Sequence, residues 1–109
     1  MAILADCHMH SSFSGDSETP MEEMADRACS TGLKDTCFTE HMDLDYPEGT
    51  GDDEKLPPDC FEVDMSKYSD KISHVQTEYS GRLNIGYGLE FGLCRGLEDR
   101  YAKIASSYD

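Results

Sequence analysis

Short strand-like segments alternate with amphipathic helical segments along the whole of this 109-residue chain. The strand-like segments carry apolar, β-branched or aromatic residues and lie near residues 2–10, 35–41 and 83–92. Each of them is followed by apolar residues at helical spacing. Because strands that alternate with helices in this way pair in parallel through right-handed crossovers, the order predicts an α/β fold with a parallel sheet.

Capping residues mark the ends of the first two helices. In the run 19–22 a threonine N-cap, a proline at the first helical position and a capping-box glutamate predict a helix that starts near residue 20. Asp64 is predicted to cap the second helix, and Gly32 and Gly81 suit the left-handed positions that end the two helices. The predicted apolar faces comprise Met21, Met24, Ala25 and Ala28, then Met65, Tyr68, Ile72, Val75 and Tyr79, then Leu97, Tyr101, Ile104 and Ala105.

Charge and cysteine content exclude several classes of protein. Nine basic and 23 acidic residues give a net charge of −14, which repels nucleic acid and anionic lipid, so neither is expected as a partner. The chain has neither a secretory signal pattern nor an apolar run of the ~18 residues that a membrane helix needs, which predicts a cytoplasmic protein. Its five cysteines form no C-x-x-C pair, and those at 29 and 37 are interpreted as structural thiols.

The first predicted strand ends in a pair of histidines. The two-residue period of a strand sends Asp6, His8 and His10 to one face, so two imidazoles share the same space. Each imidazole can offer a nitrogen to a divalent metal, and Asp6 is a candidate to accept the opposite ring N–H. An H-x-H pair alone is a weak signal, and histidines that cap a sheet edge by hydrogen bonding remain the alternative.

Further metal-binding residue types occur at the ends of the other two predicted strands. The carboxyl ends of parallel strands lie along one rim, where ligands gather in α/β folds. The side chains expected to converge there are His8, His10, His41 and Glu90, with Asp16 from the loop after the first strand. Nitrogen and oxygen ligands in this mixture suit zinc, manganese or iron, and they favour a hydrolytic use.

Two neighbouring features are predicted to be structural. Glu40 should face away from His41 on a strand, so it is expected to support the ligands rather than to bind metal. Gly86, Gly88 and Gly92 lie on the third strand, where they are interpreted as close backbone packing rather than as a phosphate-binding loop. The segment 42–63, rich in proline, glycine and acidic residues, is predicted to be a long loop, and loops of this length inside compact domains tend to be functional or mobile.

Four short motifs resemble those of the polymerase and histidinol phosphatase (PHP) family. They are Asp6–Ser11, Phe13–Glu18, Phe38–His41 and Gly88–Glu90. The resemblance to the histidinol-phosphatase branch of that family extends over nearly the entire chain. Each motif alone is unspecific, whereas their combination is highly specific.

The resemblance implies a distorted (β/α)₇ barrel, of which residues 1–109 form a partial PHP domain with the first three βα units. It also implies a cluster of up to three divalent metals, either zinc, manganese or iron, at the carboxyl ends of the strands. By motif position, His8 and His10 would bind one metal, Glu90 would bridge two, and Asp16 with His41 would hold the third. The family's remaining ligands would lie downstream of this chain.

The function implied is metal-dependent hydrolysis of a small phosphate monoester, with histidinol phosphate cleaved to histidinol and phosphate in histidine biosynthesis. The resemblance assigns no residue here as general acid or base. Two alternatives stay open: a phosphodiesterase of the same family, and a metal-binding fragment without catalysis. Because a partial barrel leaves sheet edges and apolar surface exposed, self-association of the chain is also predicted.

Overall fold

Three parallel strands form a single sheet in a computed structural model, which describes residues 3–44, 61–92 and 95–109. The strands follow one another in the sheet in chain order and alternate with helices, which confirms the predicted α/β class. The elements are β1 (Ala5–Met9), α1 (Met21–Ser30), β2 (Asp35–Met42), α2 (Met65–Glu78), β3 (Asn84–Phe91) and α3 (Glu98–Ala105). Within the described ranges, none of these helices has the length and apolar character required to span a bilayer.

Three of the predicted helix boundaries are confirmed by backbone geometry. The Asp64 side chain accepts a hydrogen bond from the Lys67 backbone N–H at 3.0 Å, as an N-cap does. Gly32 and Gly81 have φ angles of 89° and 81°, in the left-handed region that closes a helix with little strain only in glycine.

Helix α1 starts near residue 20 as predicted, but the predicted N-cap was wrong by one residue. The helix begins at Met21, with Pro20 rather than Thr19 at the N-cap and without a side-chain capping bond. The Thr19 carbonyl instead accepts the Ser12 backbone N–H at 2.8 Å, which ties this residue to the preceding loop. The first helical hydrogen bond therefore runs from the Met24 N–H to the Pro20 carbonyl, at 3.2 Å.

The core lies on one face of the sheet, beneath the helices. Burial alternates along β2, so that Phe38, Glu40 and Met42 lie on the buried face of the sheet, while Thr39 and His41 lie on the other face, here called the open face. The Tyr68 hydroxyl, buried in α2, donates to the carbonyls of Phe38 and Gly88 at 3.2 and 2.9 Å and links two strands to the helix. The buried apolar cluster comprises Met9, Met21, Ala25, Ala28, Phe38, Met42, Val63, Tyr68, Ile72, Val75, Tyr79, Leu83, Ile85 and Tyr101.

Glycines line the open face where β2 and β3 approach each other. A Cβ at Gly86 would lie 2.9 Å from the Cys37 Sγ, and one at Gly88 would lie 3.0 Å from both that sulfur and the Phe38 carbonyl oxygen. The interpretation of these two glycines as close packing is therefore confirmed.

Strand β1 departs from the regular alternation that was predicted for it. Asp6 pairs with Thr36 and Met9 with Phe38, so the register shifts between them. A bulge of this kind places one extra residue on one strand and re-aims its side chains. The prediction that Asp6, His8 and His10 follow one unbroken two-residue period was therefore wrong at Asp6.

The two ends of the predicted 42–63 loop lie side by side. The Asp43 N–H donates to the Phe61 carbonyl at 2.7 Å, and the Val63 N–H donates to the His41 carbonyl at 3.0 Å. An isolated antiparallel bridge joins Met42 to Glu62 between them. Residues 45–60 of that loop lie outside the described residues, but its two ends meet directly beside His41.

Candidate metal centre

Strand register brings the first group of ligands together. His41 and Glu90 are direct partners across β2 and β3, and His10 follows the end of β1. The Glu90 Oε2 lies 2.7 Å from the His10 Nε2 and 3.2 Å from the His8 Nε2. The ring centroids of these two histidines are 5.0 Å apart. The His8, His10 and Glu90 side chains thus form one group with the composition and spacing of a metal site.

The loop after β1 adds Asp16 to a second group. The Asp16 Oδ2 lies 3.0 Å from the His41 Nε2, and its Oδ1 lies 3.2 Å from the His10 Nδ1. The His10 and His41 rings meet edge to face with centroids 4.4 Å apart. His10 belongs to both groups, so all five side chains predicted as ligands lie around one centre.

Three buried polar atoms in this centre have no hydrogen-bond partner in the described part of the chain. They are the His10 Nε2, the His41 Nδ1 and the Glu90 Oε2. The 2.7 Å contact between the His10 and Glu90 atoms lacks the direction of a hydrogen bond, and 3.9 Å separates the His41 and Glu90 atoms. Leaving such atoms unpaired costs about 1–3 kcal/mol each, and a divalent cation among them would remove that cost. The residues present therefore fit a metal.

The electrostatics of the second group favour a charged Asp16. Burial alone would raise the pKa of its carboxyl group, but hydrogen bonds with His41 and His10 outweigh that effect and hold the pKa below its usual value. Asp16 is therefore ionised at neutral pH and can bind a cation without first losing a proton.

Asp43 lies in the centre but was missed by the sequence analysis. Its Oδ2 is 3.6 Å from the His41 Nδ1, and burial raises the pKa of its carboxyl group, an effect that the neighbouring His41 partly opposes. The position two residues beyond His41 at the end of a strand was the signal that could have found it. The Asp43 side chain also explains why residue 92 is a glycine, because a Cβ at that position would collide with the Asp43 Oδ1.

Asp6 does not make the contact that was predicted for it. Its Oδ1 accepts the His8 backbone N–H at 3.1 Å, so the carboxyl group holds the main chain of a ligand rather than an imidazole ring. The bulge in β1 accounts for this, because the shifted register no longer aligns Asp6 with the two histidines.

Glu40 faces away from His41 and is completely buried. Its Oε1 accepts from the Ser11 backbone N–H at 2.9 Å and from the Ser11 hydroxyl at 2.6 Å, while its Oε2 accepts from the Ser14 hydroxyl. The orientation agrees with the sequence prediction. The two serines, buried in the loop that carries Asp16, were not identified from the sequence.

A model of the PHP domain matches residues 6–108 of this chain. The chain belongs to the PHP family. A histidinol-phosphatase of Lactococcus lactis is 35% identical over 88 residues, which cover 81% of this chain and 29% of that protein. A protein of Deinococcus radiodurans that bears the name probable histidinol-phosphatase is 30% identical over 109 residues, which cover all of this chain and 40% of that protein.

Solved structures of similar proteins show the same fold as this PHP domain. The histidinol phosphate phosphatase of Lactococcus lactis, crystallised with zinc, L-histidinol and phosphate, matches 98% of the chain with a TM-score of 0.80 and 29% identity. A structure from Listeria monocytogenes matches 95% of it with a TM-score of 0.78 and 24% identity. The chain corresponds to 37% and 40% of those two proteins, and to well under half of the curated relatives.

Proposed function

We propose that this PHP domain forms part of a metal-dependent phosphatase that hydrolyses histidinol phosphate to histidinol and phosphate. The observation that carries the proposal is the convergence of three imidazoles and two carboxyl groups on one centre, with buried atoms that lack partners. The similar Lactococcus lactis enzyme was crystallised with zinc, L-histidinol and phosphate, which supports the choice of metal and substrate.

The two side-chain groups would hold at least two divalent ions. His8, His10 and Glu90 would bind one, and Asp16 and His41, with His10 nearby, would bind another. A third ion, and the choice among zinc, manganese and iron, belong to the same proposal for the whole protein. When bound, such ions lower the pKa of water to near neutrality and neutralise charge on a phosphate ester.

The side chains themselves set the charge of the centre. Asp16 and Glu90 repel the anionic phosphate, and the three histidines contribute no compensating charge while they act as neutral nitrogen donors. Two divalent cations would add four positive charges to the two negative ones, so the loaded centre would attract a phosphate monoester. Phe61, whose ring lies 5.0 Å from that of His41, would form an apolar wall beside the bound ester.

Phosphate release from histidinol phosphate tests the proposal directly. It should be measured with zinc, manganese or iron(II), both for this chain and for a form extended beyond Asp109 to the length of the relatives. We expect metal-dependent release by the extended form, its loss with a chelator, and its loss in His41→Ala. Retained release in His41→Ala, or no release by either form with any of the metals, would contradict the proposed function.

The remaining predictions concern the macromolecular partners, the location and the self-association of the chain. A net charge of −14 supports a domain that binds neither nucleic acid nor anionic membranes, and a cytoplasmic location stays a prediction. Ile3 and Leu4, which directly precede β1 in the chain and are exposed by 78% and 56%, support the predicted self-association of the isolated chain. Light scattering tests it, and a monomer at all concentrations would count against it.

A further inference from the structure

A buried network joins Glu40 to two serines behind the metal centre. Glu40, Ser11 and Ser14, here called the serine–glutamate network, are each exposed by 2% or less. One carboxyl group accepts the backbone N–H and the hydroxyl of Ser11 and the hydroxyl of Ser14. A buried carboxyl group with this many donors is held in one position, and it fixes the segments that supply those donors.

The network is connected to all three ligands of the second group. His10 directly precedes Ser11, and His41 directly follows Glu40. The His41 backbone N–H also donates to the Ser14 hydroxyl at 3.0 Å. Asp16 follows in the same loop, held by a turn in which the Ser17 N–H donates to the Ser14 carbonyl at 3.1 Å.

The first group depends on the network much less. The main chain of His8 is held by Asp6, and Glu90 lies in β3, hydrogen-bonded to β2 as a neighbouring strand. Only His10 is shared between the two groups.

We infer that Glu40 is a positioning residue that sets the metal affinity of the His10, Asp16 and His41 group by holding Ser11 and Ser14, while the His8, His10 and Glu90 group keeps its affinity without it. The inference rests on the proposed metal-dependent function and extends it. Residues that orient metal ligands from behind change metal affinity by about 10–100-fold when they are replaced. The effect of Glu40 is selective because its hydrogen bonds hold segments that carry all three members of the second group, whereas His10 is the one member of the first group that they reach.

Cobalt(II) titrations of this chain test the selectivity, since the visible absorption of bound cobalt reports each site without any need for catalysis. The variants are Glu40→Gln, which preserves the volume but replaces one acceptor oxygen by a donor, and Ser14→Ala, which keeps Glu40. Ser12→Ala is the matched control, because this serine lies exposed in the same loop. His8→Ala identifies which binding phase belongs to the first group.

We expect two binding phases in the unaltered chain. Glu40→Gln and Ser14→Ala should weaken the phase of the second group by about 10–100-fold and leave the other phase unchanged, whereas Ser12→Ala should change neither. Circular dichroism and thermal unfolding show whether each variant is folded. If Glu40→Gln does not fold, Ser14→Ala decides the question.

Folded variants in which both phases keep their affinity, or weaken equally, would overturn the inference, because a purely structural role affects both groups alike. The proposed function fails in a different way. In that case the unaltered chain itself would bind no cobalt, and the inference would fall with it.

Discussion

Glu40 and Glu90 lie near the same end of the sheet but on opposite faces of it, and they differ in burial and in hydrogen bonding. Glu40 in β2 is completely buried, and both of its carboxyl oxygens accept hydrogen bonds from serines. Glu90 in the neighbouring β3 has a side chain exposed by 38%, and its Oε2 points among imidazoles without a hydrogen-bond partner in the described residues. A buried carboxyl group whose oxygens all accept hydrogen bonds stabilises the protein. A carboxyl group that has an oxygen without a hydrogen bond, and that lies among imidazole nitrogens, is available to a cation.

The largest effect is expected for Glu40→Ala. The substitution leaves a cavity and removes the acceptor of three buried donors, and each unsatisfied donor costs about 1–3 kcal/mol. The free energy of unfolding, measured by urea denaturation, should fall by about 3 kcal/mol or more. The control is Glu18→Gln, which alters an exposed acid in the loop that carries Ser11 and Ser14. Its free energy of unfolding should stay near that of the unaltered chain. A stability loss as small as that of the control would break the contrast between the two glutamates.

Glu90→Gln should behave in the opposite way. Zinc affinity, measured by titration calorimetry, should fall by about 100-fold, which is about 2.7 kcal/mol, because a charged ligand of the first group is lost. Stability without metal should not fall, since the lost Oε2 makes no hydrogen bond in the described structure. Asp70→Asn on the exposed surface of α2 controls for the change in net charge. Unchanged zinc affinity together with lowered stability would show that Glu90 is structural, like Glu40.

Gly88→Ala tests the packing of the open face below Glu90. The added Cβ would lie 3.0 Å from the Cys37 Sγ and from the Phe38 carbonyl oxygen, and the latter belongs to the backbone and cannot easily move. Overpacking of this kind costs about 1–3 kcal/mol, which thermal unfolding in the presence of a chelator should report. A stability equal to that of the unaltered chain would mean that the two strands separate more easily than their register suggests.

The smallest effect concerns a third carboxyl group, Asp26, which hydrogen-bonds the Tyr79 hydroxyl between α1 and α2. This bond, together with burial, raises the pKa of Tyr79 to about 12. Because a raised folded-state pKa favours the protonated form, the stabilisation is complete below the unfolded value near 10 and is lost as pH rises through about 12. Tyr79→Phe should cost about 1 kcal/mol at neutral pH and flatten the alkaline part of the curve of stability against pH. An equally steep alkaline loss in the variant would assign that loss to other groups.

The order and type of the elements could be predicted from local patterns alone. Apolar spacing indicated α2, and Asp64 and Gly81 marked its two ends correctly. The N-cap of α1 was predicted wrongly because the Thr19 carbonyl accepts a hydrogen bond from the preceding loop, a contact that a capping pattern does not contain.

The candidate ligands could also be predicted, because the carboxyl ends of parallel strands always share one rim. The bulge at Asp6 could not be predicted, since it depends on how β1 pairs with β2. Asp43 beside His41 was overlooked for another reason: it follows the strand that was predicted to end at His41, whereas β2 continues to Met42.

The sequence by itself determined the α/β class and the types and strand-end positions of the metal-binding side chains. Both follow from residue spacing, which a chain carries before it folds. Only the tertiary structure decided that His10 is shared by two groups, that Asp6 turns to a backbone amide, and that Glu40 holds the loop of Asp16 through two serines. The contact between Ser11 and Glu40 joins residues 29 positions apart, and such contacts depend on strand register and loop path, which local spacing does not specify.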